Sequence, residues 1–237
     1  SSSLTIALVG NPNSGTTSLF NALTGTQQRV GNWPGVTVER KTGAFRADGQ
    51  VLSLVDLPGT YSHGLPLPDG DTHPETTELP TDERIARDYL TQPTTANAPD
   101  LILNVIDASS LSRSLYLTSE LLHLDRPVVI ALNMIDVAQR QGVNLDAGEL
   151  ANKLGCPVIP IIASHGDGLN DLKAELLKRQ AITDRVDLPP IAAAVANSDA
   201  QRYQAIDELV AQVQTREHPA NAPGKTASQR IDDIILH

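Results

Sequence analysis

Apolar runs of strand length recur along this 237-residue chain at 4–10, 51–56, 100–107, 128–133 and 158–163. They are near-continuous rather than alternating, the pattern of strands covered on both faces. Helical patterns separate them, over 17–23, 82–90, 112–122, 146–154 and 169–180. Strands alternating with helices predict an α/β fold with a mostly parallel, doubly wound sheet. Residues 37–46 alternate better, and predict an antiparallel edge strand paired with 51–56 through the Asp48-Gly49 turn. Past 180 the rhythm changes. Pro189 and Pro190 break it, and helical stretches follow at 191–197, 200–216 and 226–236. Ile206, Leu209, Val210 and Val213 mark one apolar helix face that packs on something. The expected division is an α/β domain over 1–182 and a small helical subdomain over 183–237. No internal repeat is visible.

A net charge of −10 argues against nucleic acid or anionic lipid as the main partner. The single cysteine, Cys156, lies in an apolar run and reads as a buried small hydrophobe. One cysteine forbids an internal disulfide and suits a reducing compartment. No run approaches the roughly 20 apolar residues of a membrane helix, and there is no signal-peptide pattern. The start at Ser1 without Met, and the end on Ile234-Ile235-Leu236-His237, predict a piece of a longer polypeptide. Residues 63–80 form a long polar stretch whose acids (Asp69, Asp71, Glu75, Glu78) read as a solvated loop, with metal ligation the alternative.

The run Gly10, Asn11, Pro12, Asn13, Ser14, Gly15, Thr16, Thr17, Ser18 follows the first strand and opens the first helix. It matches the phosphate-binding template G-x-x-x-x-G-K-[ST] except that Thr16 stands where lysine belongs. Backbone N–H groups of Ser14 to Thr17 would cradle phosphate oxygens, helped by the helix N-terminus. Thr17 supplies a hydroxyl suited to magnesium. Asp56-Leu57-Pro58-Gly59 ends a later strand. An acid there holds a magnesium shell, and the Gly59 N–H can meet a terminal phosphate. Asn133-Met134-Ile135-Asp136 ends another, and the Asp136 carboxylate can accept two N–H bonds that guanine offers and adenine does not. Ala163-Ser164-His165 would add a backbone N–H to the guanine carbonyl. All lie at carboxyl ends of parallel strands, where such sheets bind ligands.

Taken together, residues 10–21, 28–41, 56–62, 104–109 and 131–136 resemble the cytosolic N-terminal GTPase domain of the bacterial ferrous iron transport protein B family. The resemblance covers roughly residues 4–180, and its most specific stretch is Val30 to Lys41. It implies a Ras-like P-loop domain binding GTP and GDP with magnesium on Thr17, Thr37 and Asp56. It implies hydrolysis involving Asn13, Thr16, Thr37 and Gly59, with water placed by backbone and switch residues, since Thr60 rather than Gln follows Gly59. It implies a potassium site on Asn13 with the Gly31 and Trp33 carbonyls; a turn role for Asn13 and packing for Trp33 stay open. It further implies a membrane permease portion of the same polypeptide, self-association, and a place on the cytoplasmic face of the bacterial inner membrane.

Thr16 carries no charge. Loss of a charged hydrogen bond costs roughly 1.5–3 kcal/mol, about ten- to a hundredfold in affinity. The sequence therefore predicts an attenuated GTPase regulating Fe(II) uptake, with a non-hydrolysing nucleotide-binding module as the alternative. A potassium-dependent ribosome or tRNA-modification factor is a third reading, disfavoured by the acidic charge. Arg40, Lys41, Arg84 and Arg87 read as solvated, and the six histidines have no metal-ligand spacing.

Overall fold

A computed structural model of the chain describes residues 4–61, 80–92, 98–124, 126–180 and 199–216. Its centre is a seven-stranded sheet in the order β2-β3-β4-β1-β5-β6-β8. These strands are β1 (Thr5–Gly10), β2 (Gln28–Asn32), β3 (Glu39–Ala47), β4 (Gln50–Asp56), β5 (Leu101–Asp107), β6 (Val128–Asn133) and β8 (Val158–Pro160). Strands β4, β1, β5, β6 and β8 run parallel, and β2–β3–β4 form an antiparallel wing.

The near-continuous apolar runs behave as expected for doubly covered strands. Ile6, Leu8 and Leu103 face one buried cluster with Leu19, Phe20 and Leu176, from helices α1 (Thr16–Thr24) and α6 (Leu169–Gln180). Ala7, Val9 and Ile102 face the other, with α2 (Thr81–Leu90) and α3 (Leu111–Leu121). Each fully buried Leu, Ile or Phe contributes about 1.5–3 kcal/mol against exposure. Register places Leu8 opposite Asp56, Gly10 opposite Val105 and Asp107 opposite Asn133. The carboxyl ends of these four strands therefore form one edge, and the motif loops leave from it. The short helix α4 (Ile135–Arg140) starts there, just past β6.

The edge of the sheet differs from the expectation. The turn at Asp48 and Gly49 does join β3 to β4, with both residues at positive φ. But β3 begins at Glu39, and the outer strand is β2, antiparallel to β3. Gln28–Asn32 is polar and largely exposed, so no alternation betrays it. Thr37 therefore lies in the loop between two strands, not on one.

The helical tail also differs. Helix α7 (Asp199–Val213) buries Ile206, Leu209 and Val213 in the same core as α3 and as α5 (Ala147–Leu154). It ends three residues before the predicted boundary. Gln214–Arg216 forms β9 and pairs antiparallel with β7 (Val143–Leu145). Arg202, at 2 % exposure, pairs with Glu120 at 3.0 Å and donates to Ser119 Oγ and the Tyr116 carbonyl. Its guanidinium lies 3.5 Å over the Tyr116 ring. The helices predicted at 191–197 and 226–236, the 182/183 boundary and the loop over 63–79 lie outside the described residues. Among the described residues, no helix is long and apolar enough to cross a membrane. Cys156 is buried as expected, and burial pushes its thiol up to about 12.

Candidate nucleotide site

The loop from Gly10 to Thr17 is shaped by two left-handed residues, Asn13 (φ 67°) and Gly15 (φ 94°). Asn13 tolerates that region through its short polar side chain. At Gly10, a Cβ would approach Ser14 Oγ at 2.5 Å, the Val105 carbonyl at 2.8 Å and Thr16 Cγ2 at 2.9 Å. At Gly15 it would run into the Asn133 amide. Both glycines are thus steric requirements of the loop itself.

Helix α1 starts at Thr16 with Gly15 as its cap and no side-chain cap. Its first intrahelical bond runs from Leu19 N–H to the Gly15 carbonyl at 2.9 Å. The N–H groups of Thr16, Thr17 and Ser18 are therefore left for an outside acceptor. No acidic side chain occupies that first turn. Its Thr17 and Ser18 are exposed, whereas Thr16 is half-buried. The turn offers backbone donors without a neighbouring acid, and Thr16 adds no charge.

Asn11 and Ser14 are buried, at 4 % and 1 % exposure, and neither side chain has a hydrogen-bond partner among the described residues. Asp56 resembles them: its Oδ1 is buried and unpartnered. Burial raises its carboxyl to about 6, against an opposing pull from Lys41 and a further push from Glu39. A buried carboxylate oxygen without a donor fits a cation placed beside it. Gly59 lies against the loop, since a Cβ there would stand 3.3 Å from the Pro12 backbone. The Thr60 N–H, next to it, donates to the Gly10 carbonyl at 3.2 Å.

Asn133 joins two of the predicted motifs. Its Nδ2 donates to the Ser14 carbonyl at 3.0 Å, and its Oδ1 accepts from the Ala163 N–H at 3.0 Å. Met134 turns the chain into α4 at φ 62°. The Asp136 carboxylate, a quarter exposed, is held by Arg140 at 2.9 Å. Ala163 N–H is committed to Asn133, and His165 N–H bonds the Ile162 carbonyl. Of that trio only the exposed Ser164 keeps its N–H without a partner among the described residues.

Two predicted members stand apart. Thr37 is exposed and makes no hydrogen bond among the described residues. Trp33 is buried at 6 % exposure, its ring edge-on to Tyr89 at 5.3 Å. Its carbonyl already accepts from Val36 N–H at 3.3 Å, and Gly31 is paired within the edge strand opposite Arg40. Arg40 is not the solvated charge expected; its guanidinium lies 4.8 Å over the Trp33 ring. Sequence reasoning also missed Asn104, fully buried, which donates to the Val9 carbonyl at 3.3 Å and accepts from Thr118 at 2.7 Å. Only its lone polar character inside an apolar strand signalled it. Among the described residues no cluster of His, Cys, Asp and Glu could hold a metal by itself.

A glycine-shaped loop at a helix N-terminus, a strand-end acid with an unpartnered oxygen and an Asn-x-x-Asp loop on one sheet edge define the class: an α/β P-loop domain of the G-domain type. Residues 4–176 match the family model described as ferrous iron transport protein B, and the chain belongs to that family. It is 49% identical over 185 residues to the Fe(2+) transporter FeoB of Salmonella typhimurium, covering 78% of this chain and 22% of that protein. The chain thus spans about a fifth of such a relative. The cytosolic domain of L. pneumophila FeoB superposes with a TM-score of 0.74 at 35% identity, over 90% of this chain and 100% of that one. A single-residue mutant of S. thermophilus NFeoB bound to GDP gives 0.70 at 31%, over 90% and 100%.

Proposed function

We propose that the chain is the guanine-nucleotide-binding part of a ferrous iron transporter, binding GTP and GDP and coupling slow hydrolysis to Fe(II) uptake. The observation that carries this reading is the Asn133 bridge between Ser14 and Ala163. It sets the phosphate loop beside the two loops expected to read the base. Phosphates sit on the N–H groups of Gly15 to Ser18, and guanine sits between the Asp136 carboxylate and the Ser164 N–H. The solved relative bound to GDP supports the ligand class.

Thr17 and Asp56 would hold magnesium, with Thr37 joining them by movement of its exposed loop. Magnesium would supply charge neutralisation of the phosphates. Asn13, exposed on the loop, would hold potassium with the carbonyls of Gly31 and Trp33 only after that segment moves, since the Trp33 carbonyl accepts from Val36 N–H. Gly59 N–H and the backbone around it would place water and the terminal phosphate. The segment carrying α7 would lead on to a membrane permease portion of the same polypeptide, on the cytoplasmic face of the bacterial inner membrane. Self-association belongs to the same proposal.

One observation favours a second reading. Thr16 places a methyl group, not an ammonium, over Gly10, which favours a nucleotide-binding module that does not hydrolyse. Phosphate release from GTP with magnesium, with and without potassium, separates the two. Slow release stimulated by potassium supports the first; nucleotide binding with no release supports the second.

A further inference from the structure

A cavity of about 580 Å³ opens between the antiparallel wing and the end of α2, outside the phosphate loop. Its floor is one face of the wing. Register pairs Arg29 with Thr42, and Thr42 with Val55, so these residues share a face. Arg40, two residues before Thr42, lies on that face too. Tyr89 closes one side, at 4 % exposure. Its hydroxyl has the Arg40 charge beside it but no well-aligned hydrogen bond among the described residues. Arg40 Nε is also buried and unpartnered. Glu39 and Lys41 fall on the opposite face and pair with each other at 3.1 Å.

The polar groups left over are donors. Arg29, Arg40 and Tyr89 line the cavity, in a chain whose net charge is −10. Burial raises the Tyr89 hydroxyl's pKa, opposed by the Arg40 and Arg126 charges, so it stays a protonated donor. Arg29 is exposed and Arg40 half-buried, and an arginine fork matches a planar or tetrahedral oxyanion.

We propose that this cavity is a second ligand site, taking a small oxyanion on the guanidinium groups of Arg29 and Arg40. It is independent of the nucleotide pocket. Arg40 also stacks on Trp33, and Trp33 N–H bonds the Val38 carbonyl at 2.9 Å. An anion held by Arg40 therefore restrains the segment that carries Thr37.

The test is titration of the 237-residue chain with inorganic phosphate, and separately with acetate, at constant ionic strength. Amide resonances and the fluorescence of Trp33, the chain's one tryptophan, are the readouts. The expected result is saturable shifts at Thr42, Ala44 and Ser53. Affinity should fall by about tenfold in Arg40→Gln, by the loss of a charged bond. Arg29→Gln, at an exposed position, should weaken binding without touching the core. Tighter phosphate than acetate assigns a phosphate group, and the reverse a carboxylate. Shifts confined to Gly15, Thr16 and Thr17, no saturation, or affinity unchanged in both arginine variants would overturn the proposal.

Discussion

Asn133 Nδ2 donates a 3.0 Å hydrogen bond to the carbonyl of Ser14, 119 residues earlier in the chain. The same side chain accepts from Ala163 N–H, so one amide at 3 % exposure ties together three loops. Asn133→Ala strands a buried carbonyl and a buried N–H. Each unsatisfied group costs about 1–3 kcal/mol, so the variant should lose roughly 2–6 kcal/mol of stability. Asn133→Asp keeps the acceptor for Ala163 but sets a buried carboxylate oxygen against the Ser14 carbonyl, and at neutral pH should lose at least as much. Denaturant midpoints of the three proteins check this.

Asp56 predicts a pH dependence of unusual sign for a carboxylate. Its folded pKa is about 6 against an ordinary 3.8, chiefly through burial. Between those values the folded state holds the proton and the unfolded state has lost it. Stability therefore falls as pH rises from about 4 through about 6, and levels off above. At about 1.4 kcal/mol per unit, the penalty at neutral pH is on the order of 3 kcal/mol. Asp56→Asn should be more stable than the parent at pH 7 without nucleotide or magnesium, and the gain should vanish below pH 4. A cation beside Asp56 favours the ionised form, so magnesium-dependent nucleotide binding should weaken below pH 6.

Thr16→Lys should tighten GDP binding by about ten- to a hundredfold, since it restores a charged donor to the phosphates. Dissociation constants for labelled GDP on both forms provide the check. Equal constants would show that the backbone cradle alone carries the phosphate affinity.

Arg202 anchors α7. Glu120 is equally buried, so removal of Arg202 takes a 3.0 Å partner from a buried carboxylate, at a cost of about 3–5 kcal/mol. Arg202→Ala should lose that much in a denaturant series. Arg202→Met with Glu120→Gln should recover most of it, because no buried charge then remains.

Much of this architecture was legible because burial writes itself into composition. The runs at 128–133 and 169–180 carry β6 and α6 to the residue. The strand-end loops were legible because Gly10, Gly15 and Asn133 sit where only certain shapes fit. What hid was whatever long-range pairing decides. Gln28–Asn32 becomes a strand because β3 offers an open edge, not through its own pattern. Gln214–Arg216 leaves its helix because β7 lies within reach. Arg40 reads as solvated until Trp33 and Tyr89, far apart in the chain, are seen to flank it. Nothing local marks Ser164, rather than Ala163, as the uncommitted N–H; that follows only from the Asn133 bridge.

The central claim is that these loops form one pocket selective for guanosine phosphates. Calorimetric titration of the chain with GDP, GTP and ATP in magnesium tests it most directly, with Asp136→Ala alongside. GDP and GTP should bind, ATP should bind at least about a hundredfold more weakly, and Asp136→Ala should remove the difference. ATP binding as tightly as GTP, or the preference surviving in Asp136→Ala, would contradict it.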